Sequence, residues 1–136
     1  MRTRFVTGPK TAGVDKLKKG NRINVMLIES NTLFRQGISK ILRNSPDIAV
    51  VAEYADVDEA VALGVQRTPV DVILVDGDSF TSDPGRQIAT LNTWAPGGKI
   101  VLLTGEGSPR LLTSTLRAGI VAYVCKDTTA DELVTT

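Results

Sequence analysis

The stretch over residues 70–78, VDVILVDGD, constrains the fold of this chain more than any other. Its apolar, β-branched run follows a Thr-Pro pair and predicts a strand buried on both faces of a sheet. The run stops at carboxylates, and ligands in open parallel sheets bind just beyond the carboxyl ends of the strands. Asp76 is therefore a candidate functional residue. Taken alone, Asp76-Gly77-Asp78 is better explained as a turn, because Asp and Gly are common turn formers.

The composition is that of one soluble globular domain, with 136 residues, 42% hydrophobic and 23% charged. No apolar run approaches the roughly 18 residues of a membrane span, and the basic N-terminus lacks the apolar core of a signal peptide. A single cysteine, Cys125, cannot form an internal disulfide and favours a reducing compartment, so we expect a cytoplasmic location. The absence of histidine argues against zinc-type sites, histidine general bases and phosphohistidine donors.

The charge is distributed unevenly although its net value is only +1. Residues 1–22 carry seven basic groups and one acid, whereas residues 23–136 carry nine basic and fourteen acidic groups. The first segment contains three glycines and a proline and shows no sustained apolar period. We expect residues 1–22 to be a flexible basic tail. Such a tail can contact nucleic acid or an acidic partner, but a solvated extension is the more common case.

From residue 23 onward, strand and helix patterns alternate. Apolar runs predict strands at 23–28, 48–54, 70–75, 99–104 and 122–125, and capping signals predict helices that begin after Asn31, Asp56, Asp83, Ser108 and Thr129. Five strands that alternate with five helices through short loops predict a parallel sheet covered on both faces.

Polar side chains stand at four of the predicted strand ends: Glu29, the pair Asp76 and Asp78, Thr104 and Lys126. The carboxyl ends of parallel strands lie at one edge of a sheet, so we expect these groups to converge. Carboxylates can hold Mg²⁺, which binds one or two of them together with phosphate oxygens. A hydroxyl and an ammonium group can bind a phosphoryl group. Each residue alone is explained as ordinary loop chemistry, but the four ends together favour a functional site.

Five motifs, in this order and at this spacing, resemble the receiver domain of bacterial two-component response regulators. They are LFRQGI at 33–38, SPDIAVVAE at 45–53, DVILVD at 71–76, LRAG at 116–119 and YVCKD at 123–127. The resemblance covers residues 23–136 and is greatest to the NarL/FixJ type, whose members carry a LuxR-type helix-turn-helix after the receiver. It implies a flavodoxin-like (βα)5 doubly wound sheet with five parallel strands in the order 2-1-3-4-5.

The resemblance also implies roles for particular residues. Asp76 would accept a phosphoryl group from a histidine kinase, in a switch domain without enzymatic activity of its own. Thr104 would be the switch hydroxyl, Lys126 would pair with the aspartyl phosphate, and Tyr123 would be the aromatic switch. Tyr123 is equally explained as a half-buried strand tyrosine. The implied cofactor is Mg²⁺, held by Glu29, Asp76 and Asp78, the last through its backbone carbonyl or its side chain.

The chain departs from the family pattern near the expected metal site. The family usually has two adjacent acids after the first strand, and Ser30 stands where the second is expected. Asp78 follows the acceptor by two residues, and its carboxylate could compensate. Phe80 replaces the usual proline four residues after the acceptor. We therefore expect weak magnesium binding and keep an alternative, an atypical receiver that acts as a phosphorylation-independent interaction or ligand-binding module. A flavodoxin-like enzyme has little support, because no glycine-rich phosphate loop follows the first strand.

The end of the chain predicts a final helix that begins near Thr129 and is short for one that must cover a sheet. Family members continue this helix into a DNA-binding domain. We expect an excised receiver that binds DNA only through a domain absent from this chain, because residues 23–136 are acidic by five charges. Receivers of this type commonly dimerise through surfaces that include the fifth helix, and because that helix is short here we expect any homodimer to be weak.

Overall fold

A computed structural model describes residues 3–5, 22–63, 69–105, 109–126 and 130–135. Its elements are β1 (Thr3–Phe5), β2 (Ile23–Ile28), α1 (Thr32–Arg43), β3 (Ile48–Tyr54), α2 (Val57–Leu63), β4 (Val72–Asp76), α3 (Pro84–Trp94), β5 (Lys99–Thr104), α4 (Pro109–Ala118), β6 (Ala122–Cys125) and α5 (Ala130–Thr135). A short 3-10 turn, Gly77–Ser79, follows β4. No helix in the described ranges is long and apolar enough to span a membrane.

All six described strands form one sheet in the order β1-β6-β5-β4-β2-β3. The five strands β2 to β6 are mutually parallel, which confirms the predicted 2-1-3-4-5 arrangement. The order of connection reverses between β2 and β4, and this reversal opens a crevice beyond their carboxyl ends. The fold therefore places Asp76, the last residue of β4, in that crevice.

One strand of the sheet was not expected from the sequence. Thr3–Phe5 lies within the segment interpreted as a flexible tail, yet it pairs antiparallel with β6. At the other end of that segment, the Arg22 guanidinium donates hydrogen bonds to the carbonyls of Pro46 and Ile48. Residues 6–21 lie outside the described part of the chain. The structure therefore differs from the predicted flexible tail at two places, residues 3–5 and Arg22.

The core consists of two layers, one on each face of the sheet. Alternate residues of β2 divide between them, because successive side chains of a strand point to opposite faces. Val25 and Leu27 join a cluster with α1, whereas Met26 and Ile28 join a cluster with α2 and α3. The strands are consequently apolar along their length, and polar chemistry is confined to their ends.

Capping side chains fix the points at which two helices begin. The Asn31 side chain accepts a hydrogen bond from the Phe34 N–H, and the Asp83 side chain accepts one from the Arg86 N–H. Such N-caps stabilise a helix by about 1 kcal/mol each. These caps mark the ends of the loops after β2 and β4, and the same loops carry polar residues of the crevice.

Candidate functional site

Three strand ends bring three charged side chains together, and we call Glu29, Asp76 and Lys126 the charged cluster. Lys126 Nζ lies 2.7 Å from Asp76 Oδ1 and 3.6 Å from Glu29 Oε1. The two carboxylate side chains are at most 1% exposed, and the lysine side chain is 23% exposed. Two buried acids therefore share one ammonium group at the carboxyl edge of the sheet.

Asp76 is held through both of its carboxylate oxygens. Oδ1 faces Lys126, while Oδ2 accepts hydrogen bonds from the Asp78 N–H at 3.1 Å and the Ser79 hydroxyl at 3.4 Å. Asp76 is thus the N-terminal cap of the turn Gly77–Ser79. It is both a turn residue and a member of the charged cluster, so the two interpretations of DGD are compatible.

Glu29 is fixed equally well in the loop after β2. Its Oε2 accepts a hydrogen bond from the Asn31 N–H at 3.0 Å, and its carbonyl accepts one from Arg35 Nη1 at 2.7 Å. Its own N–H donates to the Tyr54 carbonyl. These contacts leave Oε1 directed at Lys126, which restricts the carboxylate to one orientation.

Burial and neighbouring charges shift two pKa values in the charged cluster. Burial raises the pKa of Glu29 above its ordinary value of 4.5; the Asn31 N–H and Lys126 oppose this, and Asp76 adds to it. Burial by itself lowers the pKa of Lys126, but Asp76, Glu29 and Asp78 together outweigh it and hold that pKa above 10.5. The ammonium group is therefore a permanent positive charge at neutral pH.

The buried oxygens of this site can be compared with the ligands that Mg²⁺ prefers. Glu29 Oε1 and Asp76 Oδ1 are buried, and both face the Lys126 ammonium group, at 3.6 and 2.7 Å from Nζ. Two buried anionic oxygens fit the preference of Mg²⁺ for one or two carboxylates plus phosphate and water. The described residues contain no cluster of three or more metal-ligating side chains. Asp78, whose side chain is 86% exposed, lies at the rim, 3.8 Å from Lys126 Nζ.

The other predicted site residues lie around the charged cluster. Thr104 is buried at the end of β5, and its carbonyl accepts the Lys126 N–H at 2.8 Å. Tyr123 is half-buried in β6 and packs, like Phe80, against the core layer that contains α3. Ser30 is exposed on the loop after β2. The fold brings all of these residues to one edge or to the strand that leads to it.

Two residues of the site were missed by sequence reasoning. Ser79 is 2% exposed, and its Oγ accepts the Ser30 N–H at 3.0 Å while its hydroxyl donates to Asp76. We call this link between the loops after β2 and β4 the serine bridge. Phe34 places its ring 4.7 Å from Lys126 Nζ, a cation–π contact. A serine in a polar turn gives no signal in one sequence, and the helical spacing of Phe34 indicated only a core position.

Five parallel strands in this order, with a buried acid ending a central strand and a lysine paired to it, define a receiver-like α/β domain. The chain belongs to the response regulator receiver domain family, whose model matches residues 25–136. Its homologues are NarL/LuxR-type response regulators, as the sequence resemblance predicted. Strand β1 lies outside the matched range.

Two curated relatives illustrate the similarity. The transcriptional regulatory protein DegU of Brevibacillus brevis is 31% identical over 114 residues, which are 84% of this chain and 48% of DegU. UhpA of Escherichia coli (strain K12) is 31% identical over 112 residues, covering 82% of this chain and 55% of UhpA. The chain thus spans about half the length of the curated relatives it matches.

Solved structures support the fold. The signal receiver domain of the response regulator NarL from Mycobacterium tuberculosis superimposes with a TM-score of 0.75 at 24% identity, covering 85% of this chain and 92% of that one. At this identity the similarity establishes the shared fold.

Proposed function

We propose that this chain is a phosphorylation-driven switch, in which Asp76 accepts a phosphoryl group from a histidine kinase. The observation that carries the proposal is the environment of Asp76. A buried carboxylate ends a central strand, one of its oxygens lies 2.7 Å from an ammonium group, and the other is held in a tight turn. Ordinary strand-ending turns do not need a lysine paired with a buried carboxylate.

The chemistry that fits this geometry is the transfer of a phosphoryl group to a carboxylate. An oxygen of Asp76 attacks phosphorus, the phosphorus–nitrogen bond of the donor histidine breaks, and an acyl phosphate forms. Lys126 would neutralise charge on the phosphoryl oxygens, and the Thr104 hydroxyl would donate to one of them. Tyr123, two residues before the end of β6, would report the change to the surface.

Magnesium would be held by the carboxylates of Glu29 and Asp76, with Asp78 contributing its backbone carbonyl or its side chain. When bound, it would offset the repulsion between the incoming phosphoryl group and the acceptor carboxylate. Ser30 supplies no charge at the place of a second acid, so the proposed affinity is weak. The protein residues still provide the acceptor, its orientation and one compensating cation.

Mass spectrometry after incubation with acetyl phosphate and Mg²⁺ tests the proposed acceptor. We expect one added phosphoryl group, and no addition for Asp76→Asn. Asp47→Asn is the matched control, because it makes the same change at an exposed position outside the site and should keep the label on Asp76. Labelling of Asp76→Asn would contradict the assignment and make Asp78 the next candidate.

The competing function is an atypical receiver that works without phosphorylation as an interaction or ligand-binding module. Neutral Ser30 and the absence of a three-ligand cluster among the described residues favour it. Titration with Mg²⁺, followed by isothermal titration calorimetry, separates the two functions. Binding in the millimolar range supports the switch, whereas no binding supports the atypical module.

The partners we propose follow from the relatives. Their names describe transcriptional regulators, and the matched residues cover only 48% of DegU and 55% of UhpA. We propose that a histidine kinase is the phosphoryl donor, that the location is the cytoplasm, and that DNA is contacted only through a further domain. Residues 23–136 should therefore give no DNA shift at physiological salt; a salt-dependent shift would contradict this assignment.

A further inference from the structure

The outer edge of β6 is covered by a strand from the beginning of the same chain. Thr3 lies opposite Val124, Arg4 opposite Tyr123, and Phe5 opposite Ala122, in antiparallel register. This strand lies outside the range that matches the receiver family, which begins at residue 25. Strand β1 is therefore an addition to the matched receiver fold, and its pairing with β6 needs a separate explanation.

The β6 edge is unusually suited to pairing with another strand. Residues 120–125, IVAYVC, contain no charge, no proline and no glycine, and four of the six are β-branched or aromatic. Natural edge strands are usually protected by charges, prolines or bulges, because unpaired N–H and C=O groups recruit other chains. The first charge after this stretch is Lys126, whose ammonium is engaged in the charged cluster. The stretch itself carries no such protection.

The connection from β1 to the rest of the domain is geometrically simple. Strand β1 runs antiparallel to β6, so Phe5 lies beside Ala122, the first residue of β6. This is the end of the sheet at which the parallel strand β2 also begins, with Ile23. Four strand spacings of about 4.8 Å separate β1 from β2, or roughly 19 Å. Sixteen residues join Phe5 to Arg22 and can span up to about 53 Å. One chain can therefore supply its own edge strand without strain.

We propose that Thr3–Phe5 is a built-in cap that competes with a second copy of this chain for the β6 edge. The second copy fits because an antiparallel β6–β6 pair would satisfy both edges through the same surface on each subunit. Strand β1 already shows that this edge accepts an antiparallel partner. In such a pair Lys126 of one copy would lie beside the apolar start of the stretch in the other, so like charges would not meet.

Deletion of residues 2–5 in an otherwise complete chain tests the cap. The deletion leaves the family-matched range intact, and circular dichroism confirms folding before other measurements. The matched control is deletion of residues 17–20, because both segments have four residues, two basic groups and one large apolar side chain. Sedimentation velocity measures self-association, and hydrogen exchange of the peptide covering residues 120–126 measures the protection of β6.

We expect the complete chain and the control to be monomeric, with β6 protected. Without residues 2–5, self-association should strengthen at least tenfold; at low concentration the β6 amides should exchange about ten times faster, and dimerisation should restore their protection. Unchanged β6 protection in the monomeric deletion variant would show that Thr3–Phe5 does not cover this edge. Exposed amides without self-association would overturn the second copy as the competitor. A dimer of the complete chain that the deletion dissociates would mean that β1 is exchanged between copies, which also overturns the proposal.

Discussion

The charged cluster and the serine bridge lie a few ångströms apart, yet they stabilise the same edge in different ways. In the charged cluster, two buried carboxylates depend on one ammonium group for compensation. In the serine bridge, two neutral groups, the Ser30 N–H and the Ser79 hydroxyl, join the loops after β2 and β4 by a hydrogen bond of 3.0 Å, and the same hydroxyl donates to Asp76 at 3.4 Å. The first region follows the family pattern, and the second departs from it. Under the proposed function, the first region supplies the phosphoryl acceptor, and the second stands where the family usually has a second acid for the metal.

The largest expected effect comes from removing the ammonium group. Lys126→Met keeps the length of the side chain but leaves Glu29 and Asp76 buried without a cation. Breaking a buried ion pair costs about 3–5 kcal/mol, and the partial exposure of Lys126 lowers our expectation to about 2–3 kcal/mol. Urea denaturation at pH 7 without magnesium measures the loss. Lys40→Met, at an exposed position of α1, is the control, and an equal loss in both variants would mean that Lys126 contributes nothing specific.

A smaller effect is expected from restoring the family acid. Ser30→Asp adds a carboxylate at an exposed position beside the charged cluster, and anionic oxygens are the preferred ligands of Mg²⁺. We expect magnesium affinity to rise about tenfold, comparable to changes in groups around a metal, and labelling of Asp76 to become faster. Ser30→Asn is the control of similar size without the charge.

If Ser30→Asp leaves the magnesium affinity unchanged, the variant Asp78→Asn distinguishes two explanations. If Asp78 has already taken over the missing ligand, Asp78→Asn alone should abolish magnesium binding. If Asp78→Asn has no effect either, the contrast between the two regions does not concern the metal, and the atypical module gains support.

The next effect concerns the serine bridge itself. Ser79→Ala removes the acceptor of the Ser30 N–H and a donor to Asp76, which should lower the free energy of unfolding by about 1 kcal/mol. Ser82→Ala, at an exposed position in the same loop, is the matched control. If Ser79→Ala changes stability no more than the control, the bridge is an incidental contact and the two loops are held by the caps at Asn31 and Asp83.

Periodicity predicted most of the fold because the relevant forces are local or repeat along the chain. The strand Ile48–Tyr54 and the cap at Asn31 occur where apolar runs and capping chemistry place them. The strand expected at 70–75 is shifted to Val72–Asp76, and just before it the Asp71 side chain accepts the Asn24 N–H. The charged cluster was expected because carboxyl ends of parallel strands share an edge.

What the sequence could not predict depends on contacts between distant residues. The serine bridge joins positions 49 residues apart, and neither serine has a distinguishing neighbour pattern. Strand β1 has only three residues, which is too short for alternation to appear, and its pairing partner lies more than a hundred residues away. Such features are specified by the assembled sheet rather than by local preference.

The smallest expected effect is a difference in pH dependence between wild type and Glu29→Gln. Burial raises the pKa of Glu29 above 4.5, so between that value and the raised pKa the folded form holds a proton that the unfolded form has released. Unfolding then releases a proton, and the contribution of Glu29 to stability falls as pH rises through this window. The free energy of unfolding of wild type minus that of Glu29→Gln should therefore decrease from pH 4.5 upward and then level off. Urea titrations at several pH values without magnesium measure this difference. Asp47→Asn, at an exposed position, is the control variant. A flat difference would mean that Lys126 fully compensates the buried carboxylate, and the charged cluster would then be as insensitive to pH as the serine bridge.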